Sequence, residues 1–213
     1  RFVTHAKQLV STTTAIDMPA GPSEVLVMAD HTARPDYVAA DMLSQAEHGP
    51  DSQAILVCQS EDFAKQVADE VVRQTALLPR KELVEKSLSH SRILIFDTRE
   101  QMTAFSNAYA PEHLIISMDQ PWQIAEHITA AGSVFIGNYS PESAGDYASG
   151  TNHTLPTSGW ARSFSGVNID SFMRKITFQQ LSQEGLQSLS QTIVSMAEAE
   201  GLHAHAQAVR VRA

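Results

Sequence analysis

The sequence contains one cysteine, Cys58, among 213 residues. A single cysteine excludes an internal disulfide and is typical of a reducing compartment. No apolar run approaches the roughly 20 residues that a membrane-spanning helix needs, and residues 1–15 lack the pattern of a signal peptide. We therefore expect a cytoplasmic protein that has no membrane partner. Any metal site in it should use His and oxygen ligands, because thiolates are too few.

Basic residues are scarce as well. The chain has 15 Lys and Arg against 24 Asp and Glu, which gives a formal net charge of −9. Such a charge disfavours binding to nucleic acid or to an anionic membrane surface. The 43% hydrophobic and 18% charged residues are ordinary for a globular protein, and the length suits one or two domains with a buried core.

Two nucleotide-binding signatures are missing from the sequence. Neither a Gly-x-Gly-x-x-Gly motif nor a Walker loop occurs, so no cofactor-binding residue for a dinucleotide is identified in this chain. The sequence also opens at Arg1 without an initiator Met and already within an apolar pattern. We expect a part of a longer chain, in which residues 1–22 are the end of a preceding domain and a linker.

Short apolar segments alternate with segments of helical periodicity through residues 23–167. The apolar segments predict strands at 24–29, 53–58, 92–96, 114–117 and 133–137. Helical spacing, with Pro and Gly at the ends, predicts helices at about 35–48, 61–78, 81–89, 98–109 and 121–131. This alternation predicts an α/β domain with a mostly parallel sheet and helices on both faces, an incomplete Rossmann-like arrangement.

Residues 168–213 differ in character and are expected to form a helical tail. The segment 172–178 fits either a strand or an irregular arm, whereas a strong apolar stripe predicts a helix from Ser182 to Glu200. A last short helix follows. The tail has too little apolar surface to fold alone, so it must pack on the sheet domain or on another subunit.

A long polar stretch, residues 140–159, follows the last predicted strand. A segment of this length without periodicity is usually functional or disordered, and its low charge together with Tyr147 and Leu155 favours an ordered loop. It contains Asp146 and His153, which are residue types that bind metals or transfer protons. On this stretch alone, a solvated Asp and a loop-tethering His remain the favoured interpretation.

Other candidate residues are equally ambiguous by themselves. Gln45 and His48 share one face of the 35–48 helix with Asp41, yet a capping His and a solvated Gln explain them as well. Glu112 and His113 form either a structural turn or an acid and a base placed together. Ligands of parallel sheets gather where strands end, whereas these two residues precede a strand, so the fold decides whether the groups meet.

Four sequences in chain order carry a more specific signal. They are DMPAGPSEVL at 17–26, LSQAEHGPD at 43–51, PEHL at 111–114, and the polar stretch through Pro156. Together they resemble histidinol dehydrogenase, and the likeness continues through residues 200–205. It covers the C-terminal half of that family, while the N-terminal half, which provides most NAD contacts, has no counterpart in this sequence.

The resemblance implies a zinc-dependent homodimer that oxidises L-histidinol to L-histidine through the aldehyde, with two NAD, in the last steps of histidine biosynthesis. One Zn²⁺ per subunit would be bound by Gln45, His48, Asp146 and, from the partner subunit, His205. The implied substrate contacts are Ser23, His113, His153, Glu200 and the four metal ligands. Glu112 and His113 would be catalytic: His113 removes the hydroxyl proton, and Glu112 activates the water that attacks the aldehyde.

Two other functions stay open at this point. One is a non-catalytic fragment that binds zinc and histidinol but lacks the NAD half. The other is a zinc hydrolase with Glu112 as its base, which would need only metal and water. Added NAD distinguishes a dehydrogenase from both alternatives, because only a dehydrogenase forms reduced cofactor, which absorbs at about 340 nm.

Overall fold

Strands and helices alternate along most of the chain, as the apolar pattern predicts. The computed structural model describes residues 2–213, in two compact units that divide between Phe172 and Met173. The strands of the first unit, β1 to β5, are Glu24–Ala29, Gln53–Cys58, Arg92–Ile95, His113–Ser117 and Ser133–Ile136. Its α-helices, α1 to α7, are Phe2–Val10, Pro35–Ala46, Glu61–Thr75, Lys81–Leu88, Arg99–Tyr109, Pro121–Ala125 and Glu142–Tyr147.

The five strands form one sheet in the order β3-β2-β1-β4-β5, and every pair is parallel. The order reverses between β1 and β4, where Val25 lies beside His113. This reversal is the switch point of a doubly wound fold. The predicted α/β class is confirmed, with a sheet that is wholly parallel within residues 2–213.

Both faces of the sheet are covered, because alternate side chains of a strand point to opposite sides. One apolar cluster joins the strands to α2 and α3 and includes Val25, Val27, Val38 and Phe63. The cluster on the other face joins them to α5 and α6 and includes Leu26, Met28, Met102 and Ile124. Burial on both faces explains why β1 is a continuous apolar run in the sequence.

Two helices of the first unit have no counterpart in the sequence prediction. α1 buries none of its side chains, and its apolar pattern is assigned to the end of a preceding domain without a helix being predicted. α7 has six residues inside the polar stretch, which is too short for a periodic pattern. The predicted helix 121–131 ends at Ala125 instead, since the Asn107 side chain binds the backbone of His127 and Thr129 and draws the chain out of the helix.

The second unit, Met173–Ala213, contains α8 at Gln183–Ala199 and α9 at His203–Arg210. The Ser182 side chain caps α8 by accepting the Gly185 N–H. Its small apolar cluster consists of Val194, Ala197, Ala206 and Val209. Of the two alternatives for residues 172–178, the irregular arm is confirmed, since no strand forms there. Within residues 2–213 no helix is both long and apolar enough to cross a membrane.

Candidate active site at the amino edge of the sheet

The candidate residues of the first unit meet at the amino-terminal edge of the sheet, beside the switch point. Ser23 directly precedes β1, Glu112 directly precedes β4, and His113 begins β4. α2 and α7 each return the chain from the carboxyl ends of the strands toward this edge. Together these elements enclose a cavity of about 300 Å³, lined by Ser23, His48, Glu112, His113, Asp146, Tyr147 and His153.

The opposite, carboxyl-terminal edge is closed by a buried carboxylate. Asp30 follows β1 and accepts hydrogen bonds from the N–H and hydroxyl of Thr32 and from the Asp119 N–H. It also pairs with Arg99 at 2.9 Å. Ligands of doubly wound sheets normally bind at this edge, but here the groups of the protein itself fill the switch point. Ligands were expected at the carboxyl ends of the strands, but this cavity lies at the opposite edge of the sheet.

His113 is buried and has one ring nitrogen free to act as a base. Its Nδ1 lies 3.2 Å from the Glu24 carbonyl oxygen, and because a carbonyl only accepts, we assign the ring proton to Nδ1. Its Nε2 is buried without a hydrogen-bond partner in the described chain and lies 3.9 Å from Asp146 Oδ1. Burial lowers the pKa of His113, although the Glu24 carbonyl and the Asp146 charge oppose the shift. The ring is thus neutral near pH 7, with Nε2 as the acceptor.

Glu112 is equally buried, and its pKa moves the other way. Burial raises the pKa of its carboxyl to about 8; the Glu24 N–H opposes that rise and the Glu24 and Asp146 charges add to it. The hydrogen bond from the Glu24 N–H to Glu112 Oε2 is 2.9 Å long. Glu112 Oε2 lies 3.7 Å from His113 Nδ1. Neighbouring groups whose pKa values are displaced in opposite directions are typical of an acid–base pair.

Gln45, His48 and Asp146 offer an amide oxygen, an imidazole and a carboxylate near the same cavity. Gln45 is fully buried, and neither of its amide atoms has a hydrogen-bond partner among the described residues. An unpaired buried amide costs about 1–3 kcal/mol, and a bound cation would satisfy its oxygen, Oε1, although not its Nε2 donor. Residues 2–213 contain no group of three or more His, Cys, Asp or Glu side chains whose geometry could hold a metal ion. The residues present therefore fit a divalent metal as a partial ligand set that needs a further donor.

The remaining predicted site residues fall into two groups. Ser23 and His153 line the cavity, His153 from its exposed rim. Glu200 follows α8 and His205 lies on α9, both exposed in the second unit, so their roles remain predictions. Asp41, which shares a helix face with Gln45, lines a separate cavity of about 300 Å³ instead.

Two buried carboxyl groups were missed by the sequence analysis. Glu142 is 1% exposed, its Oε1 accepts the Ser44 hydroxyl at 2.6 Å, and its Oε2 lies 3.8 Å from His113 Nδ1. Glu24 accepts the Ser158 N–H at 2.9 Å and the Tyr109 hydroxyl at 3.2 Å. Glu24 begins an otherwise apolar strand, and that contrast is the one signal in the sequence that marks it.

Comparison with known proteins identifies the family of this chain. The family model described as histidinol dehydrogenase matches residues 1–213. This chain belongs to the histidinol dehydrogenase family. Histidinol dehydrogenase from Bacteroides thetaiotaomicron is 54% identical over 213 residues, which are 100% of this chain and 50% of that protein. The enzyme from Vibrio parahaemolyticus is 54% identical over 214 residues, or 99% and 50% of the two chains.

A solved structure shows the same relation in three dimensions. The crystal structure of histidinol dehydrogenase from Elizabethkingia anophelis matches with a TM-score of 0.95 at 55% identity, covering 100% of this chain and 49% of that one. The resemblance inferred from the four sequence motifs is thereby confirmed. The chain spans about half the length of the curated histidinol dehydrogenases it matches.

Proposed function

We propose that this chain is the metal- and substrate-binding half of a cytoplasmic homodimeric enzyme that oxidises L-histidinol to L-histidine through the aldehyde, using two NAD. The observation that carries the proposal is the buried pair Glu112 and His113, which line a cavity together with the proposed metal donors His48 and Asp146. Membership of the histidinol dehydrogenase family supports the choice of substrate.

Gln45, His48 and Asp146 would hold one Zn²⁺ per subunit, and His205 of the partner subunit would complete the set. A bound zinc ion supplies a charged template that orients the imidazole and amine of the substrate. The donors are hard or intermediate ligands and leave room for substrate atoms, unlike a closed set of thiolates. Ser23, His153 and Glu200 would contact the remaining polar atoms of histidinol.

In the first oxidation His113 acts as the general base. Its Nε2 accepts the proton of the substrate hydroxyl while the carbinol carbon transfers a hydride to NAD, which leaves an aldehyde and reduced cofactor. The contact between Nδ1 and the Glu24 carbonyl keeps the ring oriented throughout. A neutral ring at rest is required for this step, and burial of His113 provides it.

In the second oxidation the aldehyde must first gain water. Glu112 in its ionised form removes a proton from the attacking water while the aldehyde oxygen takes the proton that His113 gained in the first oxidation, which yields the hydrated aldehyde and a neutral His113. His113 then accepts a hydroxyl proton as the second hydride leaves to a second NAD, and the resulting carboxylic acid loses its remaining proton to solvent. Because the pKa of Glu112 is raised to about 8, its ionised fraction grows from pH 6 toward pH 9.

NAD binding is the part for which this chain offers no recognisable motif, and its relatives are about twice as long. A second candidate function follows from that observation: a fragment that binds zinc and histidinol without turnover. We expect the isolated 213-residue chain to bind histidinol in the presence of zinc and to reduce no NAD. Turnover by the isolated chain would show that no further half is needed.

The test uses the longest gene product that contains this chain, which we call the full-length gene product. Histidinol-dependent NAD reduction, read at about 340 nm, is compared between its wild type and two variants. We expect activity in the wild type, a loss of roughly 100-fold or more in His113→Gln, and little change in His90→Gln. His90 is exposed and lies outside the cavity, so it controls for the loss of an imidazole. A wild type that binds histidinol without reducing NAD would favour the binding fragment.

A further inference from the structure

Glu142 has a position that the proposed reaction does not use. It is the first residue of α7, is 1% exposed, and stands one helical turn before Asp146. Residues four apart on a helix share a face, so Glu142 and the proposed ligand Asp146 project from α7 on the same side. Contacts of the Glu142 carboxyl can therefore fix the direction in which Asp146 projects from α7.

The partner of Glu142 belongs to the other ligand-bearing helix. Ser44 of α2 is adjacent to Gln45, and its hydroxyl lies 2.6 Å from Glu142 Oε1. The same hydroxyl lies 3.0 Å from the Asp41 carbonyl oxygen in its own helix. The bond to Glu142 therefore joins α7, which carries Asp146, to α2, which carries Gln45 and ends two residues before His48.

α7 depends on such contacts more than the longer helices do. It has six residues, and the residue before it, Pro141, provides no side-chain cap. A helix this short is unstable in isolation, so the orientation of Asp146 follows from what α7 packs against. Gly145 of α7 packs against Phe135 of β5. The hydrogen bond between the Ser44 hydroxyl and Glu142 holds the first turn of α7 against α2.

We propose that the Ser44–Glu142 hydrogen bond is a clamp that fixes α7 against α2 and so sets the spacing of the metal donors Gln45, His48 and Asp146. Glu142 and Ser44 are positioning residues in this scheme, since neither binds the metal itself. The inference rests on the proposed function, because the donors it aligns are those of the proposed zinc site. Groups that orient metal ligands typically change metal affinity 10- to 100-fold when removed.

Zinc affinity of the full-length gene product, measured by competition with a chromophoric chelator, tests the clamp. Glu142→Ala and Ser44→Ala should each weaken zinc binding roughly tenfold or more. Glu142→Gln should stay within about threefold of wild type, because its amide oxygen accepts the same hydrogen bond. The double variant Ser44→Ala/Glu142→Ala should bind no more weakly than Glu142→Ala, since one shared contact is lost in both.

Two results of the zinc-affinity measurement would overturn the clamp. Wild-type affinity in Glu142→Ala would show that the contact does not align the donors. Equal weakening in Glu142→Gln and Glu142→Ala would show that the charge of Glu142 acts directly on the ion, not through Ser44.

Backbone amide exchange of α7 in the zinc-free protein supplies a readout independent of the metal. Exchange should accelerate in Glu142→Ala and Ser44→Ala and remain at the wild-type rate in Glu142→Gln. A wild type that takes up no zinc would refute the metal site of the proposed function. The exchange rates would then still decide whether the clamp holds α7: unchanged rates in all three variants would overturn it.

Discussion

At the scale of single residues, one physical cause produces two opposite effects in Glu112 and His113. Burial penalises whichever form is charged, so it raises the pKa of the carboxyl to about 8 and lowers the pKa of the imidazole. At neutral pH both groups are therefore held mostly uncharged before substrate binds. A neutral imidazole next to a carboxyl that ionises near pH 8 suits an enzyme that must remove protons in two successive steps.

The stability of the zinc-free protein should depend on Glu142 in a predictable direction. Burial raises the pKa of Glu142 to about 8, so its contribution is fully present below pH 4.5 and is lost as pH rises to 8. We expect Glu142→Gln, which cannot ionise, to be more stable than wild type at pH 9, by up to about 5 kcal/mol if the whole shift of the pKa from 4.5 to about 8 is expressed. Chemical denaturation at pH 5 and pH 9 measures this difference.

The matched control is Glu85→Gln, an exposed carboxyl on α4. It should change the free energy of unfolding by less than about 0.5 kcal/mol at either pH. A Glu142→Gln protein that is less stable than wild type at pH 9 would show that Glu142 is ionised and stabilising in the folded chain.

Sequence reasoning reaches some of these residues and not others. Asp146, His153 and the Glu112–His113 pair are ambiguous by their side-chain types alone, and the resemblance to histidinol dehydrogenase is what singles them out. Glu24 was missed because its burial depends on distant partners: its backbone N–H binds Glu112, 88 residues away. No local pattern in a sequence reports a contact of that kind.

At the scale of elements, the strands were the most predictable part of the molecule. β1 and β2 begin and end at the predicted residues, and β3, β4 and β5 differ by one residue. Burial of the central strands β1, β2 and β4 leaves unbroken apolar runs in the sequence. α7 shows the opposite case. Its sequence, ESAGDY, is small, polar and contains Gly145, so it looks like a loop and becomes helical through its tertiary contacts.

Gly145 gives a direct test of how closely α7 must pack. A Cβ at this position would lie 2.6 Å from Phe135 Cε1 and 2.8 Å from Thr151 Oγ1, which is closer than atoms approach. We therefore expect Gly145→Ala to destabilise the protein by about 1–3 kcal/mol and to weaken zinc binding by displacing Asp146. Thermal unfolding and zinc titration measure the two effects.

Gly185→Ala is the corresponding control in another helix. A Cβ there meets only the Ser182 hydroxyl at an ordinary 3.4 Å, so alanine should leave stability unchanged or raise it by about 0.5–1 kcal/mol. If Gly145→Ala behaved in the same way, the close approach of α7 to β5 would not matter for the site.

At the scale of the whole molecule, the candidate cavity lies at the amino edge of a sheet whose carboxyl edge is closed by Asp30 and Arg99. The strand alternation predicts the sheet, but the choice of edge depends on which loops pack together, and that information is not periodic. The second unit exposes several large apolar side chains, Met173, Ile176, Phe178 and Leu181 among them. Such exposure supports the proposal that the tail packs on a partner subunit.

A shared site predicts complementation between two inactive variants. Asp146→Ala and His205→Ala in the full-length gene product should each be nearly inactive alone. In a mixed dimer one shared site collects both changes and the other collects neither, so random reassortment of equal amounts should restore roughly a quarter of wild-type activity. If each site were built within one chain, mixing would restore nothing, with subunit exchange verified by mass spectrometry.

Anomalous diffraction from a zinc-loaded crystal of the full-length gene product tests the central claim most directly. We expect one zinc ion per subunit at the amino edge of the sheet, within about 2.0–2.3 Å of Gln45 Oε1, His48, Asp146 and His205 of the partner subunit. The same protein carrying Asp146→Ala should lose the peak, while Lys65→Ala, a change on the exposed face of α3, should keep it. A zinc peak at another position, or one that persists in Asp146→Ala, would contradict the assignment of this cavity as the active site.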